Sequence, residues 1–256
     1  MKLAVAQIRS APGAISTNLT HHLRWVDLAR QMGATAIAFP ELSLTGYEPS
    51  LAADLALSPT DDRLAPLQQM ADRDRLSIGV GLPTRHDAGI CISQVFFHPH
   101  TAPQVYSKQY LHADETPFFM AGHPTTGVMA TAPEVAIAIC YELSVSAHVE
   151  RAAQQGANIY LASVAKSADG VQRASKRLRA IAQQYAMRVV MVNCIGPCDD
   201  FVGAGGSAMW DAKGHRLAQL DATHEGLLLW DTETDQVIAP AIAAPDLPVM
   251  TMTNEI

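Results

Sequence analysis

Three residues stand out because their chemistry does not suit their surroundings. Cys140 closes the apolar run "VAIAI", Glu41 follows "IAFP", and Lys108 ends "QVYSK". Each lies at the exit of a stretch that reads as a β-strand, and strand exits are where α/β folds hold their ligands. Taken singly, each has an ordinary explanation. Cysteine is among the most buried residue types, a loop glutamate is solvated, and a lysine at a strand end belongs at the surface. Taken together, they offer a thiol, a carboxylate and a positive charge, which are complementary parts for acyl chemistry.

The elements that must position them are legible as alternating patterns. "KLAVAQI" reads as a strand, followed by helical spacing at Leu19, Leu23 and Val26, with Thr17 or Asn18 as the cap and Gly33 as the stop. "ATAIAFP" is a buried strand, Leu64, Leu67 and Ala71 mark a helix, and "LSIGVGLP" is the next strand. "ISQVFF" and "QVYSKQY" form a hairpin across "HPHTAP". The second half replays this order: "VAIAIC", a helix ending near Gly156, "ANIYLAS", a helix on Ala174, Leu178, Ile181 and Tyr185, then "RVVMVNC". "MGATAIAFP" and "QGANIYLAS" are the clearest matching pair. The expected fold is α/β, a four-layer α-β-β-α sandwich with an internal pseudo-two-fold repeat, built as a single domain over residues 1–256.

Composition narrows the function classes. A net charge of −7 over 256 residues argues against nucleic acid as partner. No apolar run approaches a membrane span, and the short apolar start is broken by Gln7 and Arg9, so a cytoplasmic location is expected. Four cysteines are too few for a disulfide framework in a chain of this length.

In several stretches the sequence resembles the nitrilase superfamily of carbon–nitrogen hydrolases, from about Met1 to about Asp231. They are "FPELSLTGY" around Glu41, "KQYLHADETPFFMAG" around Lys108 and Glu115, "ICYEL" around Cys140, the "GAN" at 156–158, and "FVGAGGSAMWDAKG". The resemblance implies a Glu-Lys-Cys triad of Glu41, Lys108 and Cys140, with Glu115 as a second acid beside the nucleophile. It also implies a homodimer or an assembly of dimers, for which the helices after Cys140 and around residues 171–187 are the candidate contacts. The implied activity is hydrolysis of a small carboxamide to acid and ammonia through a Cys140 acyl-thioester, with no cofactor or metal. The backbone N–H of Tyr141 and Lys108 would hold the oxyanion. Hydrolysis of a nitrile or an N-carbamoyl compound, acyl transfer to an amine, and a catalytically silent binding module are the alternatives. The chain ends near the core fold, without the C-terminal extension common in true nitrilases, which tilts the expectation toward an amidase. Tyr110 stands where many members have His.

Other motifs rank lower. "GAGGSA", Gly203 to Ala208, has dinucleotide-like spacing but no evident strand before it or helix after it. Cys194 and Cys198 lack a second ligand pair and read as buried thiols. His98 and His100 fall in a Pro-rich turn and read as solvated, and Met187 and Met191 read as core. For substrate contacts, Tyr141, Glu142 and Lys166 are the candidates, with bracing of the loop after Cys140, or simple exposure, as the other readings of Glu142. Residues 141–145 contain no cation, where relatives acting on carboxylated substrates often carry Arg, and Glu142 would repel an anion if it faced the pocket. A small neutral amide is therefore expected, with Lys166 as the residue able to reverse that expectation.

Overall fold

The computed structural model describes residues 1–125 and 127–238. Three strands, β1 (Lys2–Gln7), β2 (Ala36–Ala38) and β3 (Ser77–His86), lie parallel, with helices α1 (Ile15–Gln31), α2 (Ala52–Leu55) and α3 (Ala65–Asp74) in the crossovers. Strands β4 (Gly89–Phe97) and β5 (Gln104–Ser107) add antiparallel to β3 as a meander. The second sheet starts with β6 (Val128–Met129) and β7 (Ala132–Ile139). It continues through α4 (Ser146–Gln154), β8 (Ile159–Val164), α5 (Ala168–Tyr185) and β9 (Arg188–Asn193). Strands β7, β8 and β9 are again parallel. A hairpin of β10 (Ile195–Cys198) and β11 (Phe201–Ala204) follows, then β12 (Ala208–Trp210) and β13 (Arg216–Gln219), which extend the second sheet antiparallel. Finally β14 (Gly226–Asp231) returns to pair with β1, and β15 (Gln236–Ile238) pairs with β14.

The orders are β15-β14-β1-β2-β3-β4-β5 and β13-β12-β9-β8-β7-β6. Each sheet thus centres on three parallel strands flanked by antiparallel ones, which is the repeat expected from the sequence. Alternation along the strands assigns the faces. Leu3, Val5, Ile92 and Phe96 meet Ile137, Ile139, Leu161 and Val190 between the sheets. Ala4, Ala6, Ile37 and Ile78 pack outward on Trp25, Val26 and Leu67 of the first helix layer. Ala138, Tyr160 and Ala162 do the same with Val149, Ala174, Leu178 and Ile181. The result is an α-β-β-α sandwich with three apolar interfaces. Removing a fully buried leucine such as Leu161 to Ala would cost about 2–5 kcal/mol.

Three local expectations are corrected. Helix α1 begins at Ile15, before Thr17 and Asn18, with no side-chain cap. Asn18 instead exchanges hydrogen bonds with the Ala11 backbone and donates to the Leu44 carbonyl, tying the helix to the loop after Glu41. His98 is buried, with Ser77 at 2.9 Å and Gln104 at 3.0 Å, because the hairpin turn folds back onto the sheet. "GAGGSA" begins inside strand β11 and runs into strand β12 rather than a helix, so it has no helix N-terminus to hold a pyrophosphate. The single-domain expectation over 1–256 includes residues 239–256, which lie outside the described residues.

Candidate active site

The ends of β2, β5 and β7 converge at one rim of the sandwich. Glu41 is carried by the turn that follows β2, and this turn passes so close to β3 that only glycine fits at position 81. A Cβ there would collide with the Pro40 carbonyl and the Leu42 amide. Lys108 is fixed by its own backbone, which donates to the Ile92 carbonyl and accepts from Gly122, each at 2.8 Å. Cys140 opens a short 3-10 turn, Cys140–Ser144, directly after β7. Its φ of +45° is left-handed, a strained conformation for a residue with a side chain. That reversal points the thiol out of the strand and leaves the Tyr141 N–H among the first N–H groups of the turn, which have no acceptor within it.

The charged groups form a tight, buried cluster. The Lys108 ammonium donates to Glu41 Oε1 at 2.7 Å and to Glu115 Oε1 at 2.6 Å, with all three side chains sealed from solvent. Glu41 Oε2 accepts from the Ala165 N–H at 3.2 Å, and the Cys140 thiol donates to the Ala165 carbonyl at 3.8 Å. Glu115 is held further by the Tyr47 hydroxyl at 3.0 Å and the His112 N–H at 2.8 Å. Burial pushes Glu41 above the usual carboxylate range; the Lys108 charge opposes this and the nearby Glu115 reinforces it. For Lys108, burial works against the charged form, but Glu41, Cys140 and Glu115 together outweigh it and hold the amine protonated. Burial and Glu41 raise the Cys140 thiol, against the attraction of Lys166 and Lys108. The resting arrangement is therefore a neutral thiol beside an unusually basic carboxylate.

An open pocket of about 250 Å³ leads from solvent to this cluster, and its wall includes Cys140, Glu115, Tyr141, Lys166 and Arg173. Glu41, Lys108, Cys140 and Glu115 are thus brought together, and Tyr141 and Lys166 face the same space. As a substrate contact Glu142 is corrected, because it is fully buried behind the turn and does not line the pocket, whereas its reading as a brace for the loop after Cys140 agrees with the structure. Its oxygens accept from the Gln109 N–H at 2.6 Å, the Ile139 N–H at 2.8 Å and the Tyr106 hydroxyl at 2.9 Å. It braces the loop that carries Cys140. Cys194 and Cys198 are buried with their sulfurs 3.4 Å apart. No group of three or more His, Cys, Asp or Glu among the described residues is arranged to hold a metal ion. Sequence reasoning missed Tyr47, whose signal was its place in "FPELSLTGY", and Arg173, which had none, since α5 delivers it from outside every motif.

The carbon–nitrogen hydrolase family matches residues 2–239, and the chain belongs to it. It is an amidase-like carbon–nitrogen hydrolase. An (R)-stereoselective amidase from Pseudomonas sp. is 27% identical over 85% of this chain and 80% of its own length. A glutamine-dependent NAD(+) synthetase from Aquifex aeolicus is 27% identical over 89% of this chain, which spans 41% of the synthetase. Among solved structures, an amidase from Nesterenkonia sp. AN1 superposes with a TM-score of 0.80 at 25% identity, covering 90% of this chain and 92% of the other. A variant of that amidase was solved in complex with butyramide.

Proposed function

We propose that the protein hydrolyses a small carboxamide to the acid and ammonia, with Cys140 as nucleophile, Glu41 as general base and acid, and Lys108 in the oxyanion site. The observation that carries this reading is the sealed Glu41–Lys108–Glu115 cluster set against Cys140 at the floor of an open pocket. Cys140 Sγ attacks the carbonyl carbon as its proton passes to Glu41, which burial has made basic enough to accept it. The Lys108 ammonium and the Tyr141 N–H hold the oxyanion. On collapse the C–N bond breaks, Glu41 gives its proton to the departing nitrogen, and ammonia leaves behind an acyl-thioester. Water then attacks the thioester carbon while Glu41 takes its proton, the C–S bond breaks, and the acid is released as the thiol is restored. Glu115 keeps Lys108 in place through its 2.6 Å contact. The complex of the Nesterenkonia amidase with butyramide supports a small aliphatic amide as the first substrate to try.

The test is ammonia release across small amides, nitriles and N-carbamoyl compounds. Amides are expected to be turned over and Cys140→Ala to be inactive yet folded. Turnover confined to nitriles or carbamoyl compounds, or full activity in Cys140→Ala, would overturn the reading. Homodimeric assembly, as the family resemblance implies, and a cytoplasmic location belong to the same proposal. The second is supported by Cys91, Cys140, Cys194 and Cys198 all being free thiols.

A further inference from the structure

The pocket wall carries more positive charge than the triad chemistry uses. Of its two acids, Glu115 is paired with Lys108 and held by Tyr47 and the His112 amide, and Asp114, which is exposed, is hydrogen-bonded to the His112 ring at 2.6 Å. Lys166 and Arg173 line the same pocket, and among the described residues neither forms an ion pair. The backbone of Lys166 is firmly anchored. Its N–H donates to Asn193 Oδ1 at 2.8 Å, and its carbonyl accepts from Asn193 Nδ2 and the Ala204 N–H, both at 3.0 Å. Asn193 is itself fully buried and donates also to the Gly205 carbonyl at 2.8 Å. The stem of Lys166 lies along the first turn of α5, where a Cβ at Gly170 would stand 3.1 Å from the Lys166 Cβ. Arg173 follows Gly170 by three residues on that helix, so both cations flank one side of the pocket. Ser167, the N-cap of α5, is also in the wall, which adds the positive end of the helix dipole to that side. The one residue expected to repel an anion, Glu142, faces away.

We propose that this side of the pocket is a carboxylate subsite, in which Lys166 and Arg173 receive the acid end of a short aliphatic amide. Resting on the carboxamide reading above, the inference makes the preferred substrate class the monoamides of short dicarboxylic acids. It reverses the expectation of a neutral amide, which was drawn from the absence of a cation in residues 141–145 and already singled out Lys166 as the residue able to overturn it. Arg173 offers a planar fork able to hold both carboxylate oxygens, and Lys166 a point charge whose attraction reaches the Cys140 thiol.

Succinamate and butyramide differ in a terminal carboxylate against a methyl group, and they test the subsite directly. The wild-type protein is expected to show kcat/KM at least tenfold higher for succinamate, chiefly through KM, with the preference shrinking as salt is raised. In Lys166→Met and Arg173→Met that ratio should fall toward one, and Lys166→Arg should recover part of it. A ratio of one or below in the wild type, or a high ratio that survives both Met variants, would overturn the subsite while leaving the amidase reading intact. Release of ammonia from neither amide would overturn both.

Discussion

Two buried carboxylate networks flank the turn that carries Cys140, and they are built on opposite principles. In front, Glu41 and Glu115 share the Lys108 ammonium at 2.7 and 2.6 Å. Behind, Glu142 is held only by neutral donors: two backbone N–H groups and the Tyr106 hydroxyl, which also meets His148 Nε2 at 2.8 Å. His148 lies 3.5 Å from Glu142, yet burial, helped by Arg151, lowers it to about 4, so at neutral pH it does not act as a counter-ion. Burial lifts Glu142 to about 7 against the opposing hydrogen bonds. A permanent cation keeps charge available where bonds are to be broken. Neutral donors fix a loop without placing a second cation near the thiol.

The front network depends most heavily on Lys108. Lys108→Met leaves two buried carboxylates without their cation, and losing one partner of a buried pair costs about 3–5 kcal/mol of stability. Turnover should also fall by about 10²–10³-fold, with the oxyanion donor removed. Urea unfolding and steady-state rates check both; a variant as stable as wild type would mean that the carboxylates are protonated there. The two acids of the front network should then separate. Glu41→Gln removes the base and is expected to lower kcat by about 10²–10⁴-fold in both acylation and deacylation. Glu115→Gln retains an oxygen for Lys108 and should leave at least tenfold more activity than Glu41→Gln in single-turnover experiments. Equal losses would make Glu115 a second proton carrier.

The rear network is sharpened by pH. Glu142 titrates near 4.5 when unfolded and near 7 when folded, so between these values the native protein holds a proton that the unfolded chain has released. Its contribution is therefore most favourable below about pH 4.5 and declines as pH rises through 7, by about 3 kcal/mol in all. Unfolding free energies at pH 5 and 8 should show this decline in the wild-type protein, and Glu142→Gln should lack that part of it. Identical pH dependence in the two proteins would mean that the backbone donors keep Glu142 ionised throughout.

The layered fold was legible because burial on both faces leaves long apolar strands, and because "MGATAIAFP" and "QGANIYLAS" expose the repeat. The strand exits at Glu41, Lys108 and Cys140 were legible for the same reason: an ionisable group ending an apolar run is conspicuous. What the sequence did not disclose was direction. Glu142 follows Cys140 by two residues, but the left-handed backbone at Cys140 and the 3-10 turn after it swing its carboxylate back to the Ile139 N–H. Nothing in "ICYEL" marks that φ. Arg173 was hidden by distance along the chain, being 33 residues beyond Cys140 and brought back by the orientation of α5. Asn18 misled because a residue suited to capping can tie a loop equally well.

The pairing of β14 with β1 bears on how the chain is made as well as on its final form. Gln7 waits for Gly226, and Lys2 for Asp231, so one edge of the parallel core stays open until almost the whole described chain exists. At about 5–20 residues per second, synthesis leaves that edge without its partner for roughly ten to forty seconds. During that interval Leu3 and Val5 face a cavity that the second sheet has yet to fill, and β1 offers unpaired N–H and C=O groups to any strand nearby. Closure by the last strands of the described residues makes folding of this sandwich a late event, dominated by contacts of large sequence separation and correspondingly slow.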